Sequence, residues 1–432
     1  MVEGTSRRAS AAPGSPGAAN GRSDPGAAGA AKKPKKRSIW WRLHQWAGLQ
    51  MSLFLAFVFI TGTLAVFSYE LDWMARPAMW AAPTAAEDRV SWGAVGDAAA
   101  AYAPDAAVLN VYGPIHPAAT FDVVMGSDDG PFHVYVHPRT GEVTGTGPWP
   151  GFQRFLRNAH RHLMIPVQWG VSLVTLAAVF LAVSLVTSFW VYKKWWRGFF
   201  RLPKGRTARA YIGDLHRFAG LWSIWFVVLM IVTSFWYFAE QWGGAAPAAN
   251  PARPPQPAVV ADAPPPAASP GAAVDRAAAH LLERRPDYRI TAVYWPRGED
   301  GLIQIHGHSD RAILVRPRAN TVWVNPVSGA ILGDVDPSRL SVHTRIAEAA
   351  DPLHFGTFGG YWTKTIWFVF GVALSALAVT GVVIYTLRIA KQERKPPRWR
   401  AGLVKAWRGM GRARWLAAGL VALPVALAPI VL

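Results

Sequence analysis

Long apolar runs alternate with polar stretches along this chain. The runs cover residues 43–69, 165–192, 215–239, 361–387 and 415–432. Each is close to the roughly 20 residues that an α-helix needs to cross a bilayer, and the longer ones predict tilt. The first and third open alike, with LHQWAGL at 43–49 and LHRFAGL at 215–221. A shift of 172 places Leu43, His44, Ala47, Gly48, Leu49, Phe54 and Thr61 on Leu215, His216, Ala219, Gly220, Leu221, Phe226 and Thr233 without a gap.

Between runs one and two, the period changes. A helical stretch at 92–102 precedes the alternating pieces VLNVY and FDVVM and the hairpin-like FHVYVHPRTGEV. The same order returns after the third run, with a helix at 274–285, strands around ITAVYW and LIQIHG, then TVWVNPVSGAIL. The chain is therefore an internal repeat of helix, α+β domain and helix, with the last run outside it.

The predicted division is a disordered basic tail (1–37) and transmembrane helices at 38–69, 160–193, 215–242, 354–388 and 415–432. Two α+β domains occupy 70–159 and 274–353. A Pro/Ala-rich linker spans 243–273, and basic segments span 194–214 and 389–414. The fold class is a membrane α-helical protein with a four-helix core, one extra C-terminal helix and two outer α+β domains. The first run is too long for a removed signal peptide and reads as a retained anchor.

The net charge of +19 first suggests a nucleic-acid partner, but its distribution does not. Residues 1–43 hold nine basic and two acidic residues, 193–214 seven and one, and 388–414 ten and one. The outer connections hold five against ten at 70–159 and eleven against twelve at 240–360, with no lysine in either. This is the positive-inside pattern, which puts the N-terminus in the cytoplasm and the basic excess against anionic lipid. The 22 tryptophans add an interfacial belt, with Trp40, Trp41, Trp195, Trp196 and Trp242 flanking the spans. The absence of cysteine excludes disulfides, iron–sulfur clusters and covalently attached haem.

Histidines at membrane spans default to function. The topology sorts them into two layers. His44 and His216 open spans one and three at the cytoplasmic side. His354 and either His160 or His162, which the HRH triplet leaves open, lie at the outer side. A pair in one layer can ligate a planar cofactor from both faces, and b-type haem fits neutral imidazoles in an apolar slot between helices. Gly48 and Gly220, four residues after His44 and His216, share their helix face and leave clearance for a porphyrin. Two layers on the order of 20 Å apart, at 1.5 Å per residue, would form a wire across the membrane. Thr61–Gly62, Thr187–Ser188, Thr233–Ser234 and Thr380–Gly381 stand at the other end of each core span, where they would admit the edge of the opposite-layer haem. The remaining histidines, His116, His133, His137, His280, His306, His308 and His343, are expected at the domain surfaces. His306 and His308 with Asp310 form a weak candidate metal cluster.

The LHxxxGL starts, the TG pairs, the PLHFG before span four and the two V-[YW]-V-x-P-x-[ST]-G segments resemble the PepSY-associated transmembrane family over about residues 38–390. That resemblance implies a bacterial inner-membrane, multi-pass protein with periplasmic PepSY domains. It implies haem b, one or two, held by His44, His160, His216 and His354, and reduction of a ferric siderophore or other ferric chelate at the periplasmic face. No GxGxxG fingerprint is present, so a membrane quinol or a cytoplasmic reductase is the expected electron donor. Two other readings of the same residues stand: a non-enzymatic, membrane-anchored binding or regulatory protein, and a haem or siderophore transporter.

Overall fold

The computed structural model describes residues 38–251, 253–254, 264–298, 301–392 and 399–432. The expected tail at 1–37 and the middle of the Pro/Ala linker lie outside them. Residues 39 onward form one compact unit.

Four helical passes make the core. The first is α1 (Ile39–Gln50) followed by α2 (Ser52–Ala65), bent by 64° at Met51. After α3 (Ser68–Ala75), α4 (Trp92–Tyr102), the strands β1–β4 and the short α5 (Phe152–His162), the second pass is α6 (Val167–Val191). The third is α7 (Ala208–Trp222) and α8 (Ile224–Ala239), which part at Ser223. Met51 and Ser223 are 172 residues apart, so the repeat carries its helix break with it. Next come α9 (Pro270–Arg284), strands β5–β8 and the short α10 (Val342–Phe355), before α11 (Gly360–Gln392) makes the fourth pass. Among the described residues, four helices are long and apolar enough to span a bilayer, and the bent α1–α2 pair counts as a fifth if it is one span. The chain is a multi-pass membrane protein.

Lipid offers no hydrophobic drive for these helices to meet, so small residues set the contacts. Gly371 of α11 gives way to the Thr63 side chain of α2. The remaining helices, α12 (Trp399–Gly409) and α13 (Ala413–Val431), close the chain. The last one packs on α2 and α5, burying Ala417 beside Leu49 and Phe54.

The outer domains differ from the two separate units that the repeat suggests. Strands β1 (Ala107–Tyr112), β2 (Phe121–Ser127), β3 (Gly130–Val136) and β4 (Val143–Pro148) form one meander. Strands β5 (Arg289–Tyr294), β6 (Ile303–His308), β7 (Val322–Val324) and β8 (Ile331–Asp334) form the other. They fuse into one eight-stranded antiparallel sheet, ordered β4-β3-β2-β1-β5-β6-β7-β8. Each meander would otherwise expose β1 or β5 as an open edge, and pairing Val111 with Val293 removes both edges.

The helices behind the seam repeat the reciprocity. Ser91, which caps α4, donates to Asp275 of α9 at 2.6 Å, and Ser269, which caps α9, donates to Asp97 of α4 at 2.6 Å. The helices cross where Gly93 meets Gly271, and a Cβ on Gly93 would run into the Gly271 carbonyl. Gly93→Ala is therefore expected to cost about 1–3 kcal/mol through forced separation. Thermal unfolding should show a lower transition, and an unchanged one would mean that the crossing tolerates a methyl group.

The sheet caps one end of the bundle. Glu70 of α3 pairs with Lys364 of α11, and Arg316, between β6 and β7, grips Glu348 of α10 through both carboxylate oxygens, at 2.8 and 2.9 Å.

Candidate cofactor site

The four core histidines sit at two levels, each beside a cavity. His44 on α1 and His216 on α7 line an inner cavity of about 560 Å³ at the end away from the sheet. His160 on α5 and His354 on α10 line an outer cavity of about 460 Å³ under it. Both volumes fall in the range of small-molecule sites. Phe59 and Leu181 border both cavities and form a shared wall.

His160 and His354 stand on short helices ahead of the spans. The chain reverses between α5 and α6 through Leu163 and Met164, both left-handed with φ of 54° and 59°. Each left-handed residue costs roughly 1–2 kcal/mol. Burial of both side chains offsets that cost. His162 serves this turn. Its Nδ1 bonds the Ile165 carbonyl at 2.9 Å, and Gly170 leaves space for its backbone. His160 thus lines the cavity, and His162 closes the turn.

Every core histidine anchors Nδ1 on a neighbouring helix. His44 meets the Ser184 carbonyl at 3.0 Å and Thr187 Oγ1 at 3.2 Å. His216 meets Thr380 Oγ1 at 2.8 Å, and His354 meets Thr233 Oγ1 at 2.8 Å. His160 meets the Val58 carbonyl at 2.9 Å. A carbonyl only accepts. The Thr380 and Thr233 hydroxyls already donate to Ala376 and Leu229 in their own helices, so they too must accept. All four imidazoles are therefore held as the Nδ1–H tautomer. No Nε2 of the four has a hydrogen bond among the described residues, and that nitrogen keeps its lone pair.

The threonine–small pairs divide this work. The threonines of α6, α8 and α11 hold imidazoles, while Gly62, Ser188, Ser234 and Gly381 line the cavities. In α2, Gly62 packs on the His160 ring, 2.6 Å from where its Cβ would stand. Gly48 and Gly220 behave differently. A Cβ on Gly48 would meet nothing within 4 Å, and one on Gly220 would meet only Leu377, at 3.8 Å. Both face open space in the inner cavity.

The other histidines belong to the sheet domain and its joint with the bundle. His306, expected at the surface, is buried at 6% exposure and packs on the Tyr294 ring at 4.4 Å. Burial in this strand pushes its pKa down to about 4, so it stays neutral. Asp310 pairs with Arg289 at 2.8 Å, and no cluster of three metal-ligating side chains forms among the described residues. Near the shared wall, Trp225 meets Trp367 and Phe370 edge-on, and Phe226 meets Trp367 edge-on.

Several cavity residues escape a reading of the spans alone. The outer mouth carries Arg157, Arg161, Arg316, Arg318, Tyr237 and Asp351. The signal was present, because Arg157, His160 and Arg161 share a helix face at spacings of three and four, as do Asp351 and His354 at three. Tyr237 donates to Asp351 at 2.7 Å and lays its ring 5.4 Å from that of His354. Burial works against ionisation of Asp351, but Arg316 and the Tyr237 hydroxyl outweigh it and hold the carboxyl below its usual range.

Fold and cavities together define a helical membrane protein with paired-histidine cavities at two levels, capped by a sheet. A family model for the PepSY-associated TM region matches residues 41–388. The chain belongs to that family. No curated protein matches the chain.

Proposed function

We propose that the chain carries electrons across a bacterial inner membrane through two b-type haems and delivers them, on the side of the sheet, to a ferric siderophore or another ferric chelate. One observation carries this reading: two cavities, at opposite ends of one bundle, each hold two histidines with Nδ1 anchored and, among the described residues, no partner on Nε2.

The outer pair of residues fits the group. The centroids of the His160 and His354 rings are 6.2 Å apart. Two imidazole–metal bonds of about 2 Å, with roughly 1 Å more from each nitrogen to its ring centre, require about 6 Å. When bound, haem supplies a one-electron carrier that needs no covalent chemistry from the protein. The protein's part is orientation and exclusion of water. Thr233 and Thr380 fix tautomer and ring angle, Gly48 and Gly220 keep the inner slot clear, and Phe59 and Leu181 form the thin apolar partition between the two sites. The basic segments set the orientation, which makes the sheet periplasmic and opens the inner cavity toward a quinol or a cytoplasmic reductase.

Thr233→Val should weaken haem binding in the outer cavity about 10- to 100-fold, the usual loss when a ligand's outer partner is removed. Titration of haem into the stripped protein measures it. Transmembrane transfer is tested in proteoliposomes with dithionite sealed inside and a ferric chelate outside. Ferrous iron should accumulate outside at a rate that depends on His216. Rates equal to those of protein-free vesicles would overturn the proposal and favour a membrane-anchored regulatory role.

A further inference from the structure

The mouth of the outer cavity has a charge pattern that histidine ligation does not use. Its inner walls are apolar, with Val58, Val174, Leu181, Phe226 and Leu374. Its rim carries four guanidinium groups, from Arg157, Arg161, Arg316 and Arg318. Two are committed. Arg316 holds Glu348 and reaches Asp351 at 2.9 Å, and Arg318 holds Glu348 at 3.0 Å. The nearby acids are engaged as well. The second oxygen of Asp351 accepts from Tyr237, and Glu240 accepts from the Trp236 indole at 2.9 Å.

Arg157 and Arg161 are left over. Neither has a hydrogen-bond or ion-pair partner among the described residues, and Arg157 lies over the Phe355 ring at 5.8 Å. They stand one turn apart on the face of α5 that carries His160, where like charges at this spacing repel. A carboxylate between them would relieve that repulsion, and the planar guanidinium fork matches it through two parallel hydrogen bonds. An apolar slot with a cationic rim suits an amphiphile whose acid edge faces out.

We propose that Arg157 and Arg161 form a carboxylate-binding pair that seats the ligand of the outer cavity by its acid edge. The inference rests on the haem reading above, since haem b carries two carboxylates on one edge. A carboxylate on the arriving ferric chelate offers the same chemistry at the same mouth.

The test uses full-length protein stripped of haem and titrated with haem or with haem dimethyl ester, which lacks the negative charges. One of the two binding sites in the wild type should prefer the diacid by roughly ten- to hundredfold, the value of charge-assisted hydrogen bonds. Arg157→Gln with Arg161→Gln should abolish that preference and leave ester binding unchanged. Arg157→Lys with Arg161→Lys should keep part of it. A second arm measures reduction of ferric citrate against that of an uncharged ferric hydroxamate. A raised KM for ferric citrate alone in the Gln pair, with porphyrin preference intact, would assign the carboxylate to the substrate and still support the pair. Equal binding of both porphyrins by the wild type, with the Gln pair unaltered in either arm, would overturn this inference alone. A wild type that binds neither porphyrin would overturn the haem reading, and the pair with it.

Discussion

His354→Ala is expected to halve the haem content, from two per chain to one, and to abolish ferric reduction while the inner cavity stays loaded. His354 and His160 supply the only free imidazole nitrogens of the outer cavity among the described residues. The histidines of the inner cavity belong to α1 and α7 and do not touch α10. Loss of the ring unties the Thr233 hydroxyl, which keeps its own bond to Leu229 and leaves no buried donor stranded. The helix itself is held by Arg316 on Glu348 and Asp351, contacts that do not use the His354 ring. Folding should therefore survive. The measurement is haem per chain by pyridine haemochromogen, set beside the rate of ferric-chelate reduction. Two haems retained in the variant would remove His354 from the ligand set.

Gly220→Leu and Gly48→Leu carry the second large effect, and they separate two accounts of the LHxxxGL motif. If the glycines are packing notches, as small residues in membrane helices often are, leucine should push helices apart and destabilise the protein. The geometry predicts the reverse. Nothing lies within 4 Å of a Cβ on Gly48, and only Leu377, at ordinary contact distance, approaches one on Gly220. Both positions are helical, where glycine costs roughly 0.8–1 kcal/mol relative to alanine and leucine ranks close behind alanine. The stripped variants should thus unfold no earlier than the stripped wild type. Yet the leucine fills the slot beside His44 or His216, so inner-cavity haem should fall to a small fraction of the wild-type content while the outer haem remains. A destabilised variant with full haem content would contradict the clearance role.

Much of this arrangement was legible in the residues. The 172-residue repeat, the two histidine levels and the run of apolar spans all follow from local pattern, because hydropathy and helix period report directly on the burial of each segment. What escaped depends on contacts between distant segments. The union of two meanders through Val111 and Val293 is an edge-pairing event that neither strand announces by itself. The helix breaks at Met51 and Ser223 carry no proline or glycine to mark them. The role of His162 in closing the turn depends on a left-handed pair, Leu163 and Met164, whose residue types argue against that conformation. The arginine rim was missed for a simpler reason. Arg157 and Arg161 precede the apolar run, and their relation to the cavity appears only when α5 is read as a helix with a face.

The most direct measurement is the visible spectrum of the purified full-length protein, oxidised and then reduced with dithionite, with haem counted per chain. The account predicts the sharp reduced bands of low-spin, bis-histidine b-type haem at two per chain. A colourless protein, purified from cells supplied with haem, would contradict it.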